Sequence, residues 1–381
     1  MWLVANLLVT GGAGFIGANF VHYWLRRHPE DRIVVLDALT YAGNLANLEP
    51  ARSRPELSFT HGDIRTPGLA ERLLREYQIT LVVHFAAESH VDRSIAGPDA
   101  FIETNVTGTH ELLKATRKVW LEEGQGSTGA GTRFHHVSTD EVYGSLGPDE
   151  PPFREETPYA PNSPYAASKA ASDHLVRAYH HTYGLPVTTS NCSNNYGPYQ
   201  FPEKLIPLML VSALQGEALP IYGDGQNVRD WLYVEDHCQA VERVILAGRL
   251  GETYNIGGGN QWANLDIVRL LCRLIDEAFA ASPDLRRRFA GCPAASDRTT
   301  SSLIRFVKDR PGHDRRYAMD SGKIEQELGF SPRENLESGI RKTLDWYLAN
   351  EEWWRRVIDG SYREWMRRWY GRSETPQGLG V

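Results

Sequence analysis

The stretch Thr10-Gly11-Gly12-Ala13-Gly14-Phe15-Ile16-Gly17 lies between an apolar run, Leu7 to Thr10, and a segment, Phe15 to Arg27, whose apolar residues recur at three- and four-residue spacing. That context predicts a strand, a glycine turn and a helix in direct succession. In a G-x-x-G-x-x-G pattern of this kind, Gly11 permits the tight turn. Gly14 lets the amides at the helix N-terminus approach a pyrophosphate, and Gly17 lets the helix pack against the strand. The next apolar run ends at Asp37, twenty residues after Gly17. A carboxylate there accepts hydrogen bonds from an adenosine ribose and repels a 2′-phosphate, which points to NAD rather than NADP.

Outward from this loop the chain alternates short apolar runs with longer amphipathic stretches. Strands are expected at Leu7 to Thr10, Ile33 to Leu36, Leu57 to His61, Leu81 to Phe85, Phe134 to Ser138 and Val187 to Asn191, and crossover helices at Phe15 to Arg27, Leu69 to Tyr77, Phe101 to Leu121 and Tyr165 to Tyr183. This is the pattern of a Rossmann-type, doubly wound parallel sheet. The 381 residues exceed what one core usually serves, so a smaller C-terminal α/β substrate-binding lobe is expected as well. The dinucleotide-binding domain is assigned to residues 1–190 plus 228–257 and the substrate lobe to 191–227 plus 258–371, with 372–381 a disordered tail. A Gly/Ser/Thr segment at 122–132 reads as a surface loop, and 280–302 reads as a second insertion.

Composition narrows the partners. Lys and Arg number 41 against 48 Asp and Glu, a net charge of −7, which argues against a surface built to hold nucleic acid. No apolar run approaches the length of a membrane helix. The four cysteines, Cys192, Cys238, Cys272 and Cys292, are scattered, without zinc or disulfide spacing, and no leader is evident, so a reducing cytoplasm is expected and no metal site is assigned.

Two further motifs carry chemistry. Tyr165 and Lys169 stand four apart, on one face of a helix, where an ammonium can lower the proton affinity of a phenol and make it a general base. At the end of the strand Phe134 to Ser138 come Thr139, Asp140 and Glu141, a hydroxyl and two carboxyl groups at the strand end that faces the ligand crevice. Unequal surroundings would leave one carboxyl as acid and the other as base, which is equipment for elimination. Asp63 and Ile64 after the third strand, and Phe85, Ala86 and Ala87 after the fourth, are placed to border a cofactor. Arg229 offers a guanidinium fork for a diphosphate.

Together these motifs resemble the extended short-chain dehydrogenase/reductase family. Within it, the segments Asp37 to Asn44 (DALTYAGN), Ala86 to Ser94 (AAESHVDRS), Asn194 to Pro207 and Asn227 to His237 are similar to the sugar-nucleotide 4,6-dehydratases. The resemblance implies a bound NAD held also by Phe15, Ile16, Leu39, Thr40, Ser89 and Asn194. It implies a sugar-nucleotide substrate, dTDP-glucose foremost, contacted by Ser89, Asn195, Glu203, Lys204, Leu205, Tyr222, Arg229, Asn264, Arg310 and Tyr317. The implied reaction is oxidation at C4 with Tyr165 as base, tuned by Lys169 and Thr139; removal of the C5 hydrogen by Glu141; protonation of the leaving C6 hydroxyl by Asp140; and return of hydride to C6. The product is a 4-keto-6-deoxy sugar nucleotide. A homodimer through a four-helix bundle of Phe101 to Leu121 and Tyr165 to Tyr183 is implied as well. A UDP-sugar dehydratase, a 4-epimerase or a decarboxylase of the same family is the alternative, and the Asp140-Glu141 pair argues against the last two. A non-catalytic NAD-binding scaffold would not need the complete set. Gln261-Trp262-Ala263 departs from the family pattern just before Asn264.

Overall fold

A computed structural model of the chain describes residues 4–125, 131–309 and 313–358. Its centre is a seven-stranded sheet of β1 (Asn6–Thr10), β2 (Arg32–Asp37), β3 (Leu57–His61), β4 (Leu81–His84), β5 (Arg133–Thr139), β6 (Val187–Cys192) and, much later in the chain, β10 (Thr253–Ile256). The order across the sheet is β10-β6-β5-β4-β1-β2-β3, and every pairing is parallel. Leu7, Leu8, Val9, Val82, Val83 and Phe134 are fully buried because helices cover both faces, which is why these strands read as unbroken apolar runs. The six expected strands are present, and β10, unforeseen as a strand, extends the sheet beyond β6.

One face of the sheet packs on the helices Phe15–Arg27 and Val234–Ala247, the other on Leu69–Glu76, Thr109–Thr116 and Pro164–Tyr183. The expected helix Phe101 to Leu121 is one continuous helical path in which α-helical turns alternate with π-helical segments at Ile102–Gly108 and Arg117–Glu122. Gly108 lies in the first of these, and a Cβ there would come within 2.6 Å of Ile64. Among the described residues no helix is long and apolar enough to cross a membrane.

The remaining chain builds a second body. Short strands β7 (Asn194–Tyr196), β9 (Val228–Tyr233) and β11 (Gln261–Ala263) form one sheet, and β8 (Leu219–Tyr222) pairs in parallel with β12 (Ile304–Val307). Helices Leu205–Gln215, Asn264–Ala281 and Leu336–Ala349 enclose a separate core with them. The 280–302 insertion is folded into that core: Leu285, Phe289, Cys292 and Ala294 are buried there, on and just after a short helix Pro283–Arg288. Residues 126–130 of the 122–132 segment and the expected tail lie outside the described residues.

Trp354 closes this second core. It is fully buried, donates from Nε1 to the Tyr347 carbonyl at 3.0 Å and stacks near Phe289. Truncation to alanine leaves a large cavity, so Trp354→Ala is expected to cost about 3–5 kcal/mol in urea unfolding.

Candidate active site

All six strand ends from β1 to β6 open onto one crevice, which continues into the second body. The sheet reverses its order between β1 and β4, and ligands bind outside the carboxyl ends at such a point. Gly11, Gly14, Phe15, Ile16 and Gly17 line it after β1, Asp37 and Thr40 after β2, Asp63 and Ile64 after β3, and Phe85, Ala86, Ala87 and Ser89 after β4. Thr139, Asp140, Glu141, Tyr165 and Lys169 form its middle. Asn194, Asn195, Glu203, Lys204, Leu205, Tyr222, Arg229, Asn264 and Tyr317 form the far wall. Leu39 is the exception among described residues: it takes a left-handed φ of 49°, packs against the core and is not part of the lining. Its amide donates to Asp37 Oδ1 at 2.8 Å instead, which orients that carboxylate together with the Ala13 amide on Oδ2 at 2.9 Å. Arg310 lies outside the described residues.

The glycine loop is dictated by contact distances. A Cβ on Gly11, whose φ is +70°, would sit 2.6 Å from the Ala86 nitrogen, and one on Gly17 would sit 2.2 Å from the Gly11 carbonyl oxygen. The helix that follows has Gly14 at its N-cap, no side-chain cap and no acidic residue in its first turn, so its free amides and positive dipole end face the crevice.

In the middle of the site, Thr139 accepts from the Glu141 amide at 3.3 Å, donates to Asp140 Oδ1 at 3.2 Å and hydrogen-bonds the Tyr165 phenol. Burial pushes Asp140 well above the usual carboxylate range, with the negative charges of Glu141 and Asp230 adding to it, so the protonated form is favoured there. Its Oδ2 is buried with no partner among the described residues. Lys169 donates to the Val137 carbonyl at 2.9 Å, and burial lowers its proton affinity. The sequence led to an expectation of a phenol made more acidic by Lys169. In the folded chain burial drives Tyr165 the other way, well above the usual tyrosine range, with the charges of Glu141 and Cys192 reinforcing it.

On the far wall, Arg229 donates to the carbonyls of Val228 and Asp314, both at 2.8 Å, and lies over the Tyr317 ring at 4.2 Å. Glu203, with a side chain 2% exposed, meets Arg93 at 3.2 Å and the Tyr41 hydroxyl, and burial raises it to about 7. Lys204 donates to the Ser89 carbonyl at 2.9 Å. Glu203 and Lys204 thus tie the two bodies together across the crevice as well as lining it. Asn194 Oδ1 and Asn264 Oδ1 are buried without partners among the described residues.

Several lining residues gave no signal in the sequence: Thr104, Cys192, Ser193, Pro220, Ile221 and His313. Asn105 was missed for another reason. It pairs with both backbone groups of Glu88 at 2.9 and 3.0 Å and donates to Ser168 Oγ at 2.8 Å, so it fastens the loop after β4 to the tyrosine helix. An asparagine inside a helical pattern is the trace it leaves in the sequence. Among the described residues no cluster of His, Cys, Asp and Glu is arranged to hold a metal ion. Gly17→Ala, whose methyl has nowhere to go, is expected to lower the melting temperature by several degrees and to abolish binding of added NAD, as read by calorimetry.

Residues 8–343 match the family model described as GDP-mannose 4,6 dehydratase. The chain is 56% identical over 360 residues to a dTDP-glucose 4,6-dehydratase of Xanthomonas campestris pv. campestris, covering 94% of this chain and 98% of that one. It is 52% identical over 365 residues to an Escherichia coli dTDP-glucose 4,6-dehydratase, covering 94% and 97%. The Streptomyces venezuelae dTDP-glucose 4,6-dehydratase, solved with NAD and dTDP bound, superposes with a TM-score of 0.80 at 48% identity over 92% of this chain and 99% of that one. With the glycine loop, the Tyr165-Lys169 pair and the two adjacent carboxyl groups gathered in one crevice, the chain belongs to the GDP-mannose 4,6 dehydratase family, in the company of its dTDP-glucose 4,6-dehydratases.

Proposed function

We propose that this chain dehydrates dTDP-glucose to dTDP-4-keto-6-deoxyglucose, using NAD as a resident cofactor. The observation that carries the reading is the unequal pair Asp140 and Glu141 beside Tyr165: burial raises the proton affinity of one carboxyl, and its neighbour on the same turn lies within reach of the same crevice. Relatives at 50–56% identity bear the same activity in their names, and two solved relatives hold NAD.

The residues present fit NAD. The uncapped helix start after Gly14 suits a pyrophosphate, and Gly11 and Gly17 leave room that no side chain could share. Asp37 is oriented by two amides toward a ribose, and Asn194 Oδ1 can accept from an amide. When bound, NAD would supply a hydride acceptor for the C4 hydrogen of the sugar and a hydride donor for C6.

Tyr165 takes the proton of the 4-hydroxyl, assisted by Thr139 and by the positive charge of Lys169. The resulting 4-ketone acidifies the C5 hydrogen, which Glu141 removes. Asp140 gives its proton to the departing C6 hydroxyl, so the water leaves neutral, and Glu141 returns a proton to C5. Arg229 and Tyr317, stacked on each other at the far wall, hold the diphosphate. Ser89, Asn195, Glu203, Lys204, Leu205, Tyr222 and Asn264 shape the pocket around the sugar and base, and Arg310 belongs to the same diphosphate-binding segment.

We place the protein in the cytoplasm, a reading supported by four free, buried cysteines. We also propose that it works as a homodimer through a four-helix bundle. Ile102, Leu121 and Tyr183 on the two helical stretches concerned are 49%, 40% and 45% exposed, an apolar face that pairing would cover. Ile102→Asp combined with Leu121→Asp is expected to halve the mass seen in sedimentation velocity, and a wild-type monomer at micromolar concentration would exclude the dimer.

Mass spectrometry of products from dTDP-glucose and UDP-glucose tests the reaction: loss of one water, faster from dTDP-glucose, is expected, and an unchanged mass with both would overturn the reading. Glu141→Gln should lower kcat by roughly 10²–10⁴-fold and stop deuterium incorporation from solvent at C5. Asp140→Asn should slow water loss while C5 exchange continues. It should also raise thermal stability at neutral pH. The Asp140 carboxyl has a raised proton affinity in the fold, so wild-type stability falls as pH rises above the ordinary carboxylate range. The advantage of the asparagine therefore shrinks as pH is lowered toward that range.

A further inference from the structure

A buried carboxylate that the chemistry above does not use lies one turn beyond Lys169. On the helix Pro164–Tyr183, Tyr165, Lys169 and Asp173 follow at four-residue spacing and form a single buried stripe against β5. Asp173 accepts three hydrogen bonds: Oδ1 from His136 Nε2 at 3.0 Å, and Oδ2 from Ser138 Oγ at 2.8 Å and Tyr159 Oη at 3.0 Å. Burial raises this carboxyl to about 6, against the pull of Lys169 and of the Ser138 and Tyr159 hydroxyls, so it is ionised at neutral pH. His136 and His84, with rings 5.3 Å apart, are kept neutral by burial. His136 therefore donates its Nε2 proton to Asp173, and its Nδ1, the bare acceptor, has no partner among the described residues.

Lys169 faces the opposite problem. Its ammonium is buried and donates to a neutral carbonyl, that of Val137, which does not repay the loss of water around a full charge. Asp173 on its own helix and Cys192 on β6 act on its charge, and that charge acts in turn on His84 of β4 and His136 of β5. Both histidines are kept neutral by burial, and burial pushes the Cys192 thiol up to about 12. Asp173 is the carboxylate that acts to hold the Lys169 proton.

We infer that Asp173 is a positioning residue for the reaction: fixed as an anion by His136, Ser138 and Tyr159, it keeps Lys169 charged and in place behind Tyr165. The identity of the reaction rests on the dehydratase reading, whereas the relation between Asp173 and Lys169 belongs to the folded chain. A purely structural Asp173 would anchor the helix to β5 through the same three hydrogen bonds, and the experiment separates the two roles.

The full-length protein, labelled with carbon-13 at lysine Cε, is titrated by NMR without substrate, and the Lys169 signal is identified by its absence in Lys169→Met. In Asp173→Asn the Lys169 midpoint is expected to fall by roughly one to three pH units. With dTDP-glucose, kcat should then decline at correspondingly lower pH while KM changes little, and Asp173→Glu should restore the wild-type profile. An unmoved Lys169 midpoint with kcat lowered equally at every pH would overturn the inference. If Asp173→Asn does not fold, Asp173→Ser removes the charge and leaves a hydroxyl for the same donors. The Lys169 midpoint should fall again, and an unmoved midpoint overturns the inference equally. A wild-type protein that leaves dTDP-glucose intact would remove the dehydratase reading, and the NMR titration would still decide the role of Asp173.

Discussion

The contact on which the rest of the site depends is the hydrogen bond from the Lys169 ammonium to the Val137 carbonyl. It pins the helix Pro164–Tyr183 to β5 within two residues of Thr139, so the phenol on the helix and the carboxyl groups after the strand share one geometry. A charge buried this way is costly unless its surroundings compensate. Around it the protein places a hydrogen-bonded carboxylate, two imidazoles kept neutral and a backbone carbonyl. Apolar packing on both sheet faces makes the arrangement rigid, since Val137, Phe134 and Val176 leave the strand and helix little freedom.

The same economy of water divides Asp140 from Glu141. They are adjacent in the chain, yet Asp140 is 2% exposed and Glu141 is only partly buried. Burial, with Glu141 and Asp230 nearby, raises the proton affinity of Asp140, and no change of residue type is needed to set two carboxyl groups apart. Tyr165 illustrates the same effect on a phenol: its surroundings within the chain raise its proton affinity.

The two bodies are joined where the site is. Lys204 reaches the Ser89 carbonyl, Glu203 meets Arg93 and Tyr41, and Trp353 donates to Asn47 at 2.8 Å across 306 positions of sequence. A crevice built at such a junction can enclose a large ligand only if both walls hold their relative position. These polar ties, together with the contact between the His22 and Tyr199 rings at 5.7 Å, supply that constraint.

Much of this was legible in the residues themselves. Glycine spacing after an apolar run, an Asp at the end of the second strand, a tyrosine and a lysine one turn apart and a strand ending in two acids are local patterns. Local patterns set local structure because turn geometry, helix pitch and strand alternation act over a few residues. Other features were decided only by packing. β10 joins the sheet beside β6 from 61 positions further along the chain, counting from Cys192 to Thr253, and its short run carries no sign of its neighbour. Leu39 turns into the core because Asp37 holds its amide, and Asn105 and Asp173 matter through partners on other elements. The direction in which burial moves Asp140 and Tyr165 also lies beyond sequence. Proton affinity follows the loss of water and the nearness of charges, and both are properties of three-dimensional proximity that chain order does not contain.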